Sequence, residues 1–213
     1  MAFEPIDAAK ACLRRANRFL KLAEQKLPDS RIKNDLRRTA IVTSIAAIDS
    51  YMHWLVFKRV TAFDGETQIP KALSKYKVEF QDISSLADSV LEQRRLGKDS
   101  RPWVQVKNSM QKQILKDTFQ SFEQVSSAFA LAGIDRPWRD IADEMGISSE
   151  DIKVRLNRLV LRRNKIVHEG DIMRSSRPRK LKYNKVDHAE VISEVKWVSS
   201  LIKAIDHVVS SRV

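Results

Sequence analysis

Apolar residues recur at helical spacing along most of this chain. From Ile6 to Leu27 the row Ala9, Cys12, Leu13, Ala16, Phe19, Leu20, Ala23 and Leu27 steps by three and four, and Pro28-Asp29-Ser30 ends it, predicting a first helix. Arg31 to about Phe63 is a longer helical run. Its middle, Ala40 to Ile48, is apolar nearly all round, which predicts a central helix buried on most sides. From Asp64 to Ser100 the pattern weakens: a turn at Asp64-Gly65, a segment opened by Pro70 that runs to Phe80, a helix over Ile83–Arg95, then a loop at Gly97-Lys98-Asp99-Ser100. Val104–Leu115 and Phe119–Leu131 carry helical spacing, the second stopping at Ala132-Gly133. A short helix over Trp138–Met145 is closed by Gly146. Ser148-Ser149-Glu150-Asp151 then has the form of a helix start, with a hydroxyl for the amide near Asp151 and acids at the positive end. That helix runs to about His168, where Gly170 ends it. After a basic loop, Val186–Val209 closes the chain with Val191, Val195, Val198, Leu201, Ile202, Ile205 and Val208 or Val209 on one stripe.

Composition supports the same architecture. Forty-three per cent hydrophobic residues exclude a disordered chain, and 5 Gly with 6 Pro are too few for the turns of a sandwich or barrel. The expectation is one all-α domain over residues 1–213, a helical bundle around a long central helix with additional peripheral helices. The single cysteine, Cys12, excludes an intramolecular disulfide and any multi-cysteine zinc site, suits a reducing cytoplasm, and sits where a small core residue belongs. Met1 to Ala11 carries Glu4 and Asp7 without a continuous apolar stretch, unlike a signal peptide. The nearly apolar run at Ala40–Ile48 is short for a bilayer, so a soluble, cytoplasmic protein is expected. Thirty-nine Lys and Arg against 27 Asp and Glu give +12, a surplus that favours a polyanionic partner, nucleic acid before an anionic membrane.

One stretch carries chemistry. On the helix after Ser148 the apolar phase runs Ile152, Leu156, Leu159, Val160, then Arg163, then Val167, so an arginine occupies a buried-phase position. A guanidinium there needs a carboxylate or an anion-binding pocket, because an unpartnered buried charge costs several kcal/mol. Asp49, at the end of the apolar run of the central helix, is the candidate carboxylate. His168 follows Arg163 by five residues, and Asn164, one turn before His168, is placed to hold the imidazole. An arginine and a histidine, with no Gly-rich phosphate loop and no metal-ligand cluster, suit a metal-independent attack on a phosphodiester: histidine moves the proton and arginine neutralises the growing phosphoryl charge. No cofactor is implied.

Arg163-Asn164-Lys165-Ile166-Val167-His168 resembles the R-N-x-x-x-H signature of the HEPN superfamily of all-helical ribonucleases, in particular its RiboL-PSP-HEPN branch. Two further stretches agree. Val42 to Tyr51 resembles the branch's small-residue helix ending in an acid and an aromatic, and Gly133-Ile134-Asp135-Arg136-Pro137-Trp138 resembles its G-I-x-x-x-W element. The resemblance implies a metal-independent RNA endonuclease that works as a homodimer, with the two Arg/His motifs facing one cleft. It implies His168 as general base or acid at the ribose 2′-hydroxyl, Arg163 stabilising the phosphorane, and a 2′,3′-cyclic phosphate with a 5′-hydroxyl as products. It also implies a toxin, abortive-infection or RNA-directed defence setting, in which a cognate antitoxin or defence-system protein is a partner. Arg162 duplicates the charge beside Arg163, so either arginine is open as the site residue, with Asp49, Arg162 and Glu169 in supporting positions.

The remaining residues are read more simply. His53, beside Trp54, is a core or interface histidine; His188 and His207 lie on the polar face of the last helix; Trp103 and Trp138, each after a proline, are packing anchors. Arg174, Arg177, Arg179, Lys180, Lys182 and Lys185 make a loop of six cations without an acid, either an arm that tracks RNA phosphates or a solvated loop. Ile141-Ala142 with Gly146-Ile147-Ser148 and Ile152 resembles a helix-turn-helix, which keeps a DNA-binding regulator as the alternative, along with a catalytically silent HEPN interaction module.

Overall fold

The structure is a computed structural model, and it describes residues 3–26, 29–62, 68–98, 102–174 and 180–212. Within these the chain forms α1 (Pro5–Glu24), α2 (Ser30–Ala62), α3 (Lys71–Ser74), α4 (Phe80–Arg95), α5 (Pro102–Ile114), α6 (Phe122–Leu131), α7 (Trp138–Met145), α8 (Ser149–Glu169) and α9 (His188–Ser211). The fold is all-α. Among the described residues the sole extended pairing is an isolated antiparallel bridge between Ile172 and Tyr183. The expected turn at Asp64-Gly65 and the second half of the expected loop, Asp99-Ser100, lie outside the described residues.

α2 is the central helix, as its apolar middle requires. Ile45, Ile48, Met52 and Val56 are fully buried, and α1, α5, α6, α8 and α9 all pack on it. By length and composition α2 could cross a membrane, a property the short run Ala40–Ile48 did not disclose; its most apolar window is 61% buried inside the bundle. The bundle therefore accounts for that apolarity. Tyr51, also buried, donates its hydroxyl to Asp206 Oδ1 at 3.0 Å and ties α2 to α9, and burial followed by this carboxylate pushes the phenol above its ordinary range. Cys12 is a core residue of α1.

Local chemistry sets the helix ends that matter for the site. Ser121 caps α6 with a reciprocal Gln124 contact, which starts that helix three residues later than the apolar pattern from Phe119 indicates. Gly133 follows α6 at φ +73°, with a built Cβ meeting Pro70 at 3.0 Å, so both conformation and space demand glycine. Trp138 opens α7, stacks on Phe122 with centroids 4.1 Å apart, and donates from Nε1 to Ser126 at 2.7 Å, which makes it the expected packing anchor. Trp103 lies on the first turn of α5 and is 44% exposed. α4 buries no residue and packs on α5 alone, which explains why its amphipathic signal is weak.

Candidate functional site

α8 carries every residue of the motif and is built to be rigid. Ser148 accepts from the Asp151 amide at 3.0 Å, Ile152, Leu156, Leu159 and Val160 pack into the core, and Gly170 terminates the helix in the left-handed region. Arg163 continues the buried phase one turn beyond Val160 and is half-buried, while His168 is exposed in the last turn. The Arg163 Nη1 donates to Asn164 Oδ1 at 3.0 Å and lies 3.5 Å from His168 Nε2, the outer limit of a hydrogen bond. Guanidinium and imidazole thus meet at the surface end of α8.

Two sequence-based assignments change here, those of Asp49 and Asn164. Asp49 does not partner Arg163: it accepts from the Phe119 amide at 2.6 Å and from Gln120 Nε2 at 3.1 Å, and lies 3.7 Å from His53 Nε2. The reason is helix geometry. The end of α8 meets α2 at Arg38, and eleven residues further along α2 places Asp49 about 16 Å away along the axis. Asn164 holds the arginine rather than the imidazole. Glu169 pairs with Arg174 at 3.3 Å and so steadies the start of the basic loop.

The carboxylate that sequence reasoning missed as a partner is Asp171. It is 0% exposed and accepts from Arg38 Nε at 2.6 Å, from Arg162 Nη1 at 2.5 Å and Nη2 at 2.9 Å, and from Asn184 Nδ2 at 3.0 Å. Arg162 also donates to the Lys185 carbonyl and Arg38 to the Asn184 carbonyl. With the backbone pairs Met173 N to Lys182 O at 2.7 Å and Asn184 N to Asp171 O at 2.9 Å, this network closes a small hairpin directly after Gly170. Arg162 is thus engaged by the hairpin, while Arg163 meets Asn164 and His168 through Nη1. An acid just behind a C-cap glycine, following two arginines, was the available signal.

Cations outnumber acids on the hairpin that follows the motif. Lys180, Lys182 and Lys185 are exposed on the hairpin, whereas Arg177 and Arg179 lie outside the described residues. Among the described residues no three His, Cys, Asp or Glu side chains gather as metal ligands. His53 packs tilted against Phe119, with ring centroids 4.8 Å apart, as a partly buried residue; His188 and His207 pair with Glu24 and Glu144 at 3.0 Å. The α7–α8 turn is formed, but the first turn of α8 presents Glu150 and Asp151 to solvent, like charges to a DNA phosphate. The outer row of α8, stepping by seven, is Val154, Leu161 and His168, with Val154 60% and Leu161 64% exposed.

A helical bundle whose central helix packs against a motif-bearing helix ending in Arg-Asn and His defines a HEPN-type fold. The RiboL-PSP-HEPN family model matches residues 10–211, nearly the whole chain, and the chain belongs to that family. Comparison with curated proteins and with solved structures gives no match.

Proposed function

We propose that this protein is a metal-independent RNA endonuclease that acts as a homodimer. The observation that carries the reading is the Arg163–His168 contact at the exposed end of α8, in a chain of net charge +12. In this reaction the ribose 2′-oxygen attacks the adjacent phosphorus, its proton passes to a base, the P–O5′ bond breaks, and the departing 5′-oxygen takes a proton from an acid. The products are a 2′,3′-cyclic phosphate and a 5′-hydroxyl. His168 serves one of the two proton transfers, and Arg163 faces the nonbridging oxygens, where negative charge grows. Asn164 fixes the direction of that guanidinium.

One imidazole per motif leaves the second proton transfer to a second copy. The exposed Val154 and Leu161 support this, because they lie on the same outer row as His168 and give a two-fold contact the apolar surface it needs. Such an enzyme acts in the cytoplasm as a toxin or defence effector, held silent by a cognate antitoxin or other defence-system protein.

The test is cleavage of labelled single-stranded RNA in EDTA by wild type, His168→Ala, Arg163→Ala and Arg163→Lys. His168→Ala should lose roughly two to four orders of magnitude in rate with RNA binding retained. Because Asp49 is satisfied elsewhere, Arg163→Ala should lose activity while its melting changes little, and Arg163→Lys should stay slow because it lacks the planar fork. Wild-type rates for His168→Ala, or an absolute requirement for a divalent metal, would discard the mechanism.

A further inference from the structure

Tyr183 stands on the hairpin that follows the motif, paired across its bridge with Ile172, which is four residues after His168. It is 56% exposed, an unusual state for an aromatic ring on a segment fixed at both flanks by backbone hydrogen bonds. One face of the ring is covered by the Arg38 guanidinium, 5.4 Å from its centroid. That guanidinium is itself held on three sides, by Asp171 at 2.6 Å, Asp35 at 3.1 Å and the Asn184 carbonyl at 3.0 Å. A ring backed by a fixed cation is preorganised, so a flat ligand on its other face costs little ordering entropy.

The surroundings match one ligand chemistry. Two residues before Tyr183, the spacing that shares a face in extended chain, stands Leu181, 68% exposed; Lys180 and Lys182 alternate with the pair, and Lys185 follows two residues on. Aromatic and apolar surface interleaved with cations binds single-stranded nucleic acid, bases stacking on the ring while lysines track phosphates. We propose that Tyr183 is a nucleobase-stacking residue that seats the RNA strand beside His168, with Arg38 as the backing of the stack. This rests on the ribonuclease reading and adds to it a determinant of substrate position.

The experiment uses full-length His168→Ala protein, to prevent turnover, and a single-stranded RNA carrying 2-aminopurine at successive positions, whose fluorescence is quenched by stacking. Quenching at one register, kept in Tyr183→Phe and lost in Tyr183→Leu, is the expected result. In the cleaving protein Tyr183→Leu should raise KM about tenfold or more, the equivalent of one base–aromatic stack, while kcat falls less. Thermal melting of each variant checks that the hairpin remains closed; if Tyr183→Leu melts early, Tyr183→Trp, which keeps a ring over Arg38, must restore both quenching and KM. Cleavage by wild type with no register-specific quenching, or an unchanged KM in Tyr183→Leu, overturns the stacking role and leaves the nuclease standing. Failure of the wild type to bind or cleave RNA overturns both.

Discussion

Asp171→Asn tests whether the buried carboxylate holds the end of α8 and the hairpin together. The substitution keeps the side-chain shape, removes the charge and turns one acceptor oxygen into an amide donor facing a guanidinium. It is also neutral for the backbone, because Asp171 has φ +57°, a left-handed conformation that Asn adopts as readily as Asp, whereas alanine would add strain. Taking one partner from a buried ion pair costs about 3–5 kcal/mol, and here two guanidinia lose their carboxylate. Four acceptors soften the loss: Arg38, 11% exposed, retains Asp35 and the Asn184 carbonyl, Arg162 retains the Lys185 carbonyl, and the asparagine oxygen still accepts. The expected cost is about 2–3 kcal/mol, a fall in melting temperature of about 4–12 °C for a chain of this length. Differential scanning calorimetry with the wild type in the same buffer reads it directly. Melting of Asp171→Asn within about 2 °C of wild type would show that the pairs at 2.5–2.9 Å carry little net energy, and the hairpin would then need another anchor.

Two further outcomes concern α8 and the basic segment after it. Val154→Glu with Leu161→Glu places like charges on the outer row of α8, where neither side chain is buried in one copy; the variant should fold with stability within about 0.5 kcal/mol per site, run as a monomer in light scattering and lose cleavage together with the dimer. A wild-type monomer with full specific activity would remove the composite site. Neutralising Arg177, Arg179, Lys180 and Lys182 together should weaken RNA binding and reduce the slope of log K against log salt by about 0.7 for each phosphate that no longer meets a cation, with single-turnover chemistry at saturation nearly intact, while an unchanged slope returns the loop to a solvated one.

Elements with strong local signals were legible from the chain itself. α7 begins and ends at the expected Trp138 and Met145, the Ser148 cap forms as its spacing indicates, and the apolar stripe of α9 is buried as a unit. Those features depend on contacts within a few residues or on periodicity. The Asp171 network depends on neither: Arg38 reaches it across 133 residues of chain, and no periodic pattern distinguishes that arginine from its neighbour Arg37. Asp49 failed for the complementary reason. A carboxylate after a buried apolar run was correctly placed in need of partners, but its position along α2 assigns it to the loop before α6 and not to the end of α8.

The adjacent arginines divide their work because a helix turns about 100° per residue. Arg162 turns into the hairpin and pairs with Asp171; Arg163 follows the core phase to where the core ends and meets Asn164 and His168. This division bears on a problem the motif must solve. His168 lies at a helix C-terminus, whose partial negative charge repels an incoming phosphate, opposite to the anion-binding end of a helix. A polyanion is brought there only if fixed cations outweigh both the helix end and Asp171. Arg38 and Arg162 are balanced by Asp171 and Asp35, so the positive surplus comes from Arg163 and from the exposed Lys180, Lys182 and Lys185 along the hairpin. The buried pairs therefore lock the loop geometry, while the positive surface beside the helix end rests on the hairpin lysines.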